Sequence, residues 1–130
     1  MPNPVAHFEI YGDDPETLAG FYRKLFNWDI TASGVGGYYS VTTVPTDTHG
    51  VPTQPGGING GLMKRPVPEA RAWTNYVTVA SLDESLKEAT ALGATILRAK
   101  SAVPKMGWFA TVADPEMNVF GIWQDDPNAG

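Results

Sequence analysis

The chain has 130 residues, 42% of them hydrophobic and 18% charged, with a net charge of −5 and no cysteine. That length suggests one domain with a sizeable core, and the composition is that of a folded chain rather than a disordered one. No basic cluster exceeds Lys64-Arg65, which argues against nucleic-acid and anionic-membrane partners, and the lack of cysteine removes disulfides, thiol nucleophiles and thiolate metal sites. Nothing reads as a leader or as an apolar run of membrane-spanning length, so a cytoplasmic location is expected.

From Val5 to Tyr11 the residues alternate, with Phe8 and Ile10 on one face of a strand and His7, Glu9 and Tyr11 on the other. Asp14 stands where a helix N-cap belongs, and Pro15 takes the first helical position, where a missing N–H costs nothing. Leu18, Phe21, Tyr22, Leu25 and Phe26 follow at helical spacing and predict one apolar stripe laid on the Phe8/Ile10 face. Asn27 is the expected left-handed stop. Short strands are predicted at Trp28–Thr31 and Tyr38–Val44, separated by a glycine turn. Pro45 to Asn59 is a long loop of the kind that serves as a lid or mobile segment. Gly60–Met63 is a further strand.

The second half repeats the first. Thr74–Val79 reads as a strand, Ser81 to Glu84 as a capping box, and Leu82, Leu86, Ala89 and Leu92 as an apolar helical stripe closed by Gly93. Strands follow at Ala94–Ala99, Trp108–Ala113 and Val119–Gln124. His7 to Thr74 and Asp14 to Ser81 are equally spaced, and Asn27 to Gly93 differs by one residue. Self-similarity on this scale predicts a duplicated βαβββ module: module 1 over about residues 4–64, a connector over 65–72, and module 2 over about 73–125. The fold class is α+β, with the modules forming a cup-shaped mixed sheet and the helices on its outer face. Phe8, Ile10, Leu62, Val77, Val79, Phe120 and Ile122 are then core. His7, Glu9, Tyr11, Met63, Thr74, Tyr76, Thr78 and Trp123 line the concave face, the mixed polar and aromatic lining that small-molecule pockets have. Trp108 and Trp123 are the stacking candidates in module 2. Either Tyr38 or Tyr39 offers the same in module 1, and Tyr39 is assigned to the site.

With the two modules in view, GDDPETLAGFYRKLFNWDI in the first and GWFATVADPEMNVFGIWQ in the second resemble the vicinal oxygen chelate (VOC) superfamily of glyoxalase I, bleomycin-resistance proteins, extradiol dioxygenases and methylmalonyl-CoA epimerase. The resemblance spans residues 5 to 125 and implies a homodimer. In metal-dependent members it also implies one ligand from the first and one from the last strand of each module. The matching positions are His7, Thr74, Gly61 and Gly121, of which His7 alone is a usual ligand type. Glu9 adds an oxygen on the same face. His49 is a further ligand if its loop swings in, and otherwise an ordinary loop histidine. His7 reads either as a metal ligand or as a cup-lining histidine hydrogen-bonded to Glu9 or Tyr76. Glu9 reads either as a catalytic general base or as a paired carboxylate. Met117 departs from the glycine common at its turn, so a different turn geometry is expected.

Two functional readings lead, and a third stands beside them. One is a protein that binds a small molecule, cationic by the net charge, on the concave face with a degenerate metal site. The other is a lyase, isomerase or dioxygenase that uses zinc, nickel, manganese or iron to hold vicinal oxygens. A third reading, a metal-free lyase or isomerase, uses Glu9 or His7 as its acid–base group. No glycine-rich phosphate loop or nucleophile elbow is present.

Overall fold

Residues 2–130 are described in a computed structural model, and they divide into two compact units. One is His7–Trp73. The other joins the N-terminal residues up to Ala6 with Thr74–Gly130.

In the first unit, β1 (Val5–Gly12) leads through α1 (Pro15–Phe26) to β2 (Asp29–Ala32), β3 (Tyr39–Thr42) and β4 (Asn59–Lys64). The helix begins where the Asp14 carboxylate accepts the Thr17 amide at 3.3 Å, with Pro15 in the first turn. It ends where Asn27 takes left-handed backbone (φ 58°) and donates its N–H to the Arg23 carbonyl. β1 and β4 pair in parallel, and β4–β3 and β3–β2 pair antiparallel. Phe8, Ile10, Ala19, Ile30, Val41 and Leu62 form the core between these strands and α1.

The helix is turned relative to the expected stripe. Ala19 is its fully buried residue, Leu18 and Tyr22 are half-buried, and Phe21, Leu25 and Phe26 are each more than half exposed. A small residue at the closest approach lets the helix backbone sit near the sheet. Arg23 then reaches past it to donate two hydrogen bonds to the Ile30 carbonyl, at 3.1 and 2.6 Å. Trp73 completes this side by stacking on Phe8 at 5.3 Å.

In the second unit, β5 (Thr74–Thr78), α2 (Leu82–Ala91), β6 (Thr95–Val103), β7 (Gly107–Ala113) and β8 (Val119–Asp125) repeat the plan: β5 and β8 are parallel, and β8–β7 and β7–β6 antiparallel. The Ser81 hydroxyl accepts the Glu84 amide, and the Gln124 side-chain oxygen accepts the Leu82 amide at 2.7 Å, so the helix N-terminus is satisfied twice. Val79, Leu82, Ala110, Val112 and Ile122 form this core. Leu92, expected in the stripe, lies past the helix end and is 72% exposed. The Asp114–Asn118 turn keeps left-handed backbone at Met117 (φ 66°) despite the side chain. Asp114 holds it there by accepting from the Glu116 and Asn118 amides and from the Asn118 side chain. In the first unit, the loop between β3 and β4 is tied down by Asn59. Its side-chain oxygen accepts the Thr43 amide at 2.9 Å and its amide donates to Thr46.

Candidate functional site

The alternation of β1 sends His7, Glu9 and Tyr11 to the face of the first unit away from α1. There Tyr38, just before β3, joins them. The Tyr11 hydroxyl donates to Glu9 Oε1 and the Tyr38 hydroxyl to Glu9 Oε2, each at 3.3 Å. His7 Nε2 lies 3.1 Å from the Tyr38 oxygen and 3.5 Å from Glu9 Oε2. With the Tyr38 proton committed to Glu9, the hydrogen between His7 and Tyr38 belongs to His7 Nε2. The result is a chain of hydrogen bonds running from imidazole to phenol to carboxylate. Glu9 is the more enclosed partner, with a side chain 16% exposed against 37% for His7. Burial first, and then the Glu9 carboxylate, push the Tyr38 phenol well above the usual tyrosine range. Two open surface depressions touch the edges of this cluster. One of about 390 Å³ runs from Tyr11 to Leu18, Phe21 and Arg65, and one of about 190 Å³ lies beside Tyr38 in the Gly34–Gly37 turn.

Tyr38 reaches the cluster because β4 carries glycine at position 61. A Cβ there would overlap the Tyr38 hydroxyl. The register sets Gly61 opposite Glu9 and Met63 opposite Tyr11, so Met63, half-buried, shares the same face. In the second unit the same thing happens with different parts. Gly121 is opposite Tyr76, and a Cβ at Gly121 would overlap the Tyr76 ring. Thr74 and Tyr76 are buried, at 6% each. Tyr76 meets Phe109 edge-on at 6.5 Å, and the Arg98 guanidinium lies 4.9 Å from the Phe109 ring centre. Trp123 is half-buried and donates its indole N–H to Asp125.

Two assigned residues lie on other faces. Tyr39 packs toward α1, where hydrogen bonding to Glu16 raises its pKa. Trp108 packs on the core beneath α2, with Lys100 4.6 Å from its ring centre and its indole N–H donated to Asp126. In each case the next residue along, Tyr38 before Tyr39 and Phe109 after Trp108, takes the face away from the helix. Tyr38, Phe109 and Arg98 were absent from the assigned site. The period-two alternation of β7 was the available signal for Phe109. The same alternation was the signal for Tyr38, since Tyr39 shares its face with apolar Val41.

The donor set does not fit a divalent ion at this place. His7 and Glu9 supply two ligands. Among the described residues no group of three or more His, Cys, Asp or Glu side chains could hold a metal ion, and exposed His49 adds none. The spaces above Gly61 and Gly121 belong to Tyr38 and Tyr76.

Paired βαβββ modules with a polar strand face define the class: an α+β protein of the glyoxalase/bleomycin-resistance/dioxygenase type. The family model of the glyoxalase-like domain matches residues 8–123, and the chain belongs to that family. No curated protein matches the sequence. Among solved structures, a glyoxalase/bleomycin resistance protein/dioxygenase superfamily member from Vibrio splendidus 12B01 shares 15% identity at a TM-score of 0.61, with 96% of this chain and 100% of that one covered. Methylmalonyl-CoA epimerase from Mycobacterium tuberculosis shares 11% at 0.64, covering 94% and 87%. A chain described as NAD-dependent benzaldehyde dehydrogenase from Legionella pneumophila shares 17% at 0.61, covering 96% and 100%. These likenesses show the fold; the chemistry differs from one name to the next.

Proposed function

We propose that the protein binds a small molecule carrying a positive charge or strong hydrogen-bond donors, and that the His7–Tyr38–Glu9–Tyr11 cluster anchors it. The observation behind this is the direction of the hydrogen bonds. Both phenols spend their protons on Glu9, so the cluster gathers its negative charge on one partly enclosed carboxylate. A partly desolvated carboxylate favours a cationic or donor-rich ligand, and the net charge of −5 draws such ligands in. The test is a binding screen of small cationic aromatic compounds read by thermal shift and calorimetry. A binder should lose about ten- to a hundredfold in affinity on Glu9→Gln, as expected when a charge-assisted hydrogen bond is removed. Unchanged affinity in both Glu9→Gln and Tyr38→Phe would overturn the reading.

The hydrogen-bond chain also favours a second reading, a metal-free isomerase or lyase in which Glu9 takes a substrate proton. It requires turnover that survives chelators and falls with Glu9→Gln. Turnover that chelators abolish would sink it.

A further inference from the structure

We infer that Asn59–Gly60 is a conditional deamidation site, where the chain converts its own asparagine to a carboxylate, and that the loop between β3 and β4 decides when. Of the six asparagines in the chain, only Asn59 precedes glycine. The others precede Pro4, Trp28, Tyr76, Val119 and Ala129. A following glycine has no side chain to shield its backbone nitrogen or to restrict its rotation, and attack by that nitrogen is what the reaction needs. An Asn-Gly pair ordinarily marks a tight hairpin turn, but this one lies inside β4.

The chemistry uses only the chain and water. The Gly60 backbone nitrogen gives up its proton and adds to the carbonyl carbon of the Asn59 side chain. The bond from that carbon to Nδ2 breaks, and ammonia leaves with the proton. Water then opens the cyclic imide at either carbonyl. One product is an ordinary aspartate at position 59. The other is isoaspartate, in which the backbone runs through the former side chain. The balance is one water in and one ammonia out, with no oxidant or reductant.

In the folded chain both reacting groups are held. Asn59 Nδ2 donates to Thr46 Oγ at 3.0 Å, while Oδ1 accepts the Thr43 amide at 2.9 Å and the Val44 amide at 3.4 Å. Gly60 is buried and paired on both sides, with Phe8 of β1 and Val41 of β3. Backbone nitrogens of an extended strand point along the sheet, and side chains stand out of it. Attack therefore requires the loop to release the carboxamide and the start of β4 to open, a local event of the kind that precedes global unfolding. Asn59 lies opposite His7 in register and shares its strand face with Gly61 and Met63. An aspartate there would put a new negative charge on the polar face of the first unit. Isoaspartate would lengthen the strand backbone and disturb its register. The inference stands whether or not a ligand binds on that face.

The test follows conversion of amide to acid at each asparagine, by peptide mapping and mass spectrometry, during incubation at mildly alkaline pH. The samples are folded wild type, wild type in denaturing urea, and folded Thr46→Val, which removes the acceptor for Nδ2 and keeps the side-chain shape. In urea, Asn59 should convert faster than every other asparagine. Folded wild type should convert at Asn59 about tenfold or more slowly than in urea, by a factor set by the free energy of local opening. Thr46→Val should convert about two- to tenfold faster than folded wild type, the worth of one hydrogen bond. Equal rates in folded and unfolded wild type would overturn the inference. So would another asparagine outpacing Asn59 in urea, or a folded Thr46→Val no faster than wild type. If Thr46→Val does not fold, wild type in urea below its unfolding midpoint decides. Conversion at Asn59 should already rise there, and a rise that only tracks global unfolding would remove the loop as the gate.

Discussion

At the scale of single residues, Tyr38 is the group with the most to reveal. Its phenol is harder to ionise in the folded chain, because of burial and then because of Glu9. A raised pKa means the folded state keeps its proton longer than the unfolded one. The stabilisation is therefore complete below the ordinary tyrosine pKa of about 10 and is lost as pH climbs above it. Thermal melts should show stability falling from about pH 10 upward, and Tyr38→Phe should flatten that fall while leaving its neutral-pH counterpart on the same slope as wild type. A slope indifferent to the substitution would mean that other groups govern alkaline unfolding. Met117 makes a second residue-scale case. It is 65% exposed and held at φ 66°, where a side chain costs about 1–2 kcal/mol. Met117→Gly should recover about 1 kcal/mol in denaturant melts, since no buried contact is lost with the side chain.

At the scale of elements, the rotation of α1 makes a paired prediction. Ala19 is fully buried, so Ala19→Leu should overpack the helix–sheet contact and cost about 1–3 kcal/mol. Leu25 is 57% exposed, and Leu25→Lys should change stability by less than about 0.5 kcal/mol. Equal costs in denaturant melts would mean the helix sits as its apolar pattern alone suggests. That pattern misleads for a definite reason. Leu18, Phe21, Tyr22, Leu25 and Phe26 spread over a wide arc, and any of several rotations buries most of them. The reach of Arg23 to the Ile30 carbonyl, which only the folded chain displays, accompanies the rotation observed. Features with a local cause were legible: the Asp14 and Ser81 caps, the Asn27 stop, the core faces of β1, β4, β5 and β8, and the duplication itself. His7, Glu9 and Tyr11 were legible as one face because they share a strand. Tyr38 was missed because two adjacent tyrosines were weighed by type, when alternation from core Val41 sets Tyr39 on the helix side and Tyr38 on the other. Trp108 was placed by its size and strand, when its neighbour Phe109 holds the other face.

At the scale of the molecule, charge is the property that acts at a distance. The excess of acidic over basic groups gives −5 spread over a small surface. If the ligand is cationic, its association rate should fall as salt rises, because added ions screen long-range attraction within about 10 Å at 0.1 M. Stopped-flow association at two ionic strengths measures this, and a salt-independent rate would point to a neutral ligand. The duplication matters at this scale too. Each unit carries a glycine on its last strand with a tyrosine over it, so one solution to filling a sheet face was used twice, with the tyrosine supplied from different places.

The division of the chain has a consequence for how it is made. The residues up to Ala6 belong with Thr74–Gly130, and the Thr78 amide donates to the Pro4 carbonyl at 3.0 Å. His7–Trp73 is thus an insertion within the other unit. During synthesis residues 2–6 must wait for β5 before they find their partner, while the inserted unit has all its own strands except the start of β1 in hand earlier. A nascent chain stalled with Trp73 just clear of the ribosome should therefore already resist protease over His7–Trp73 and remain open to cleavage before Ala6.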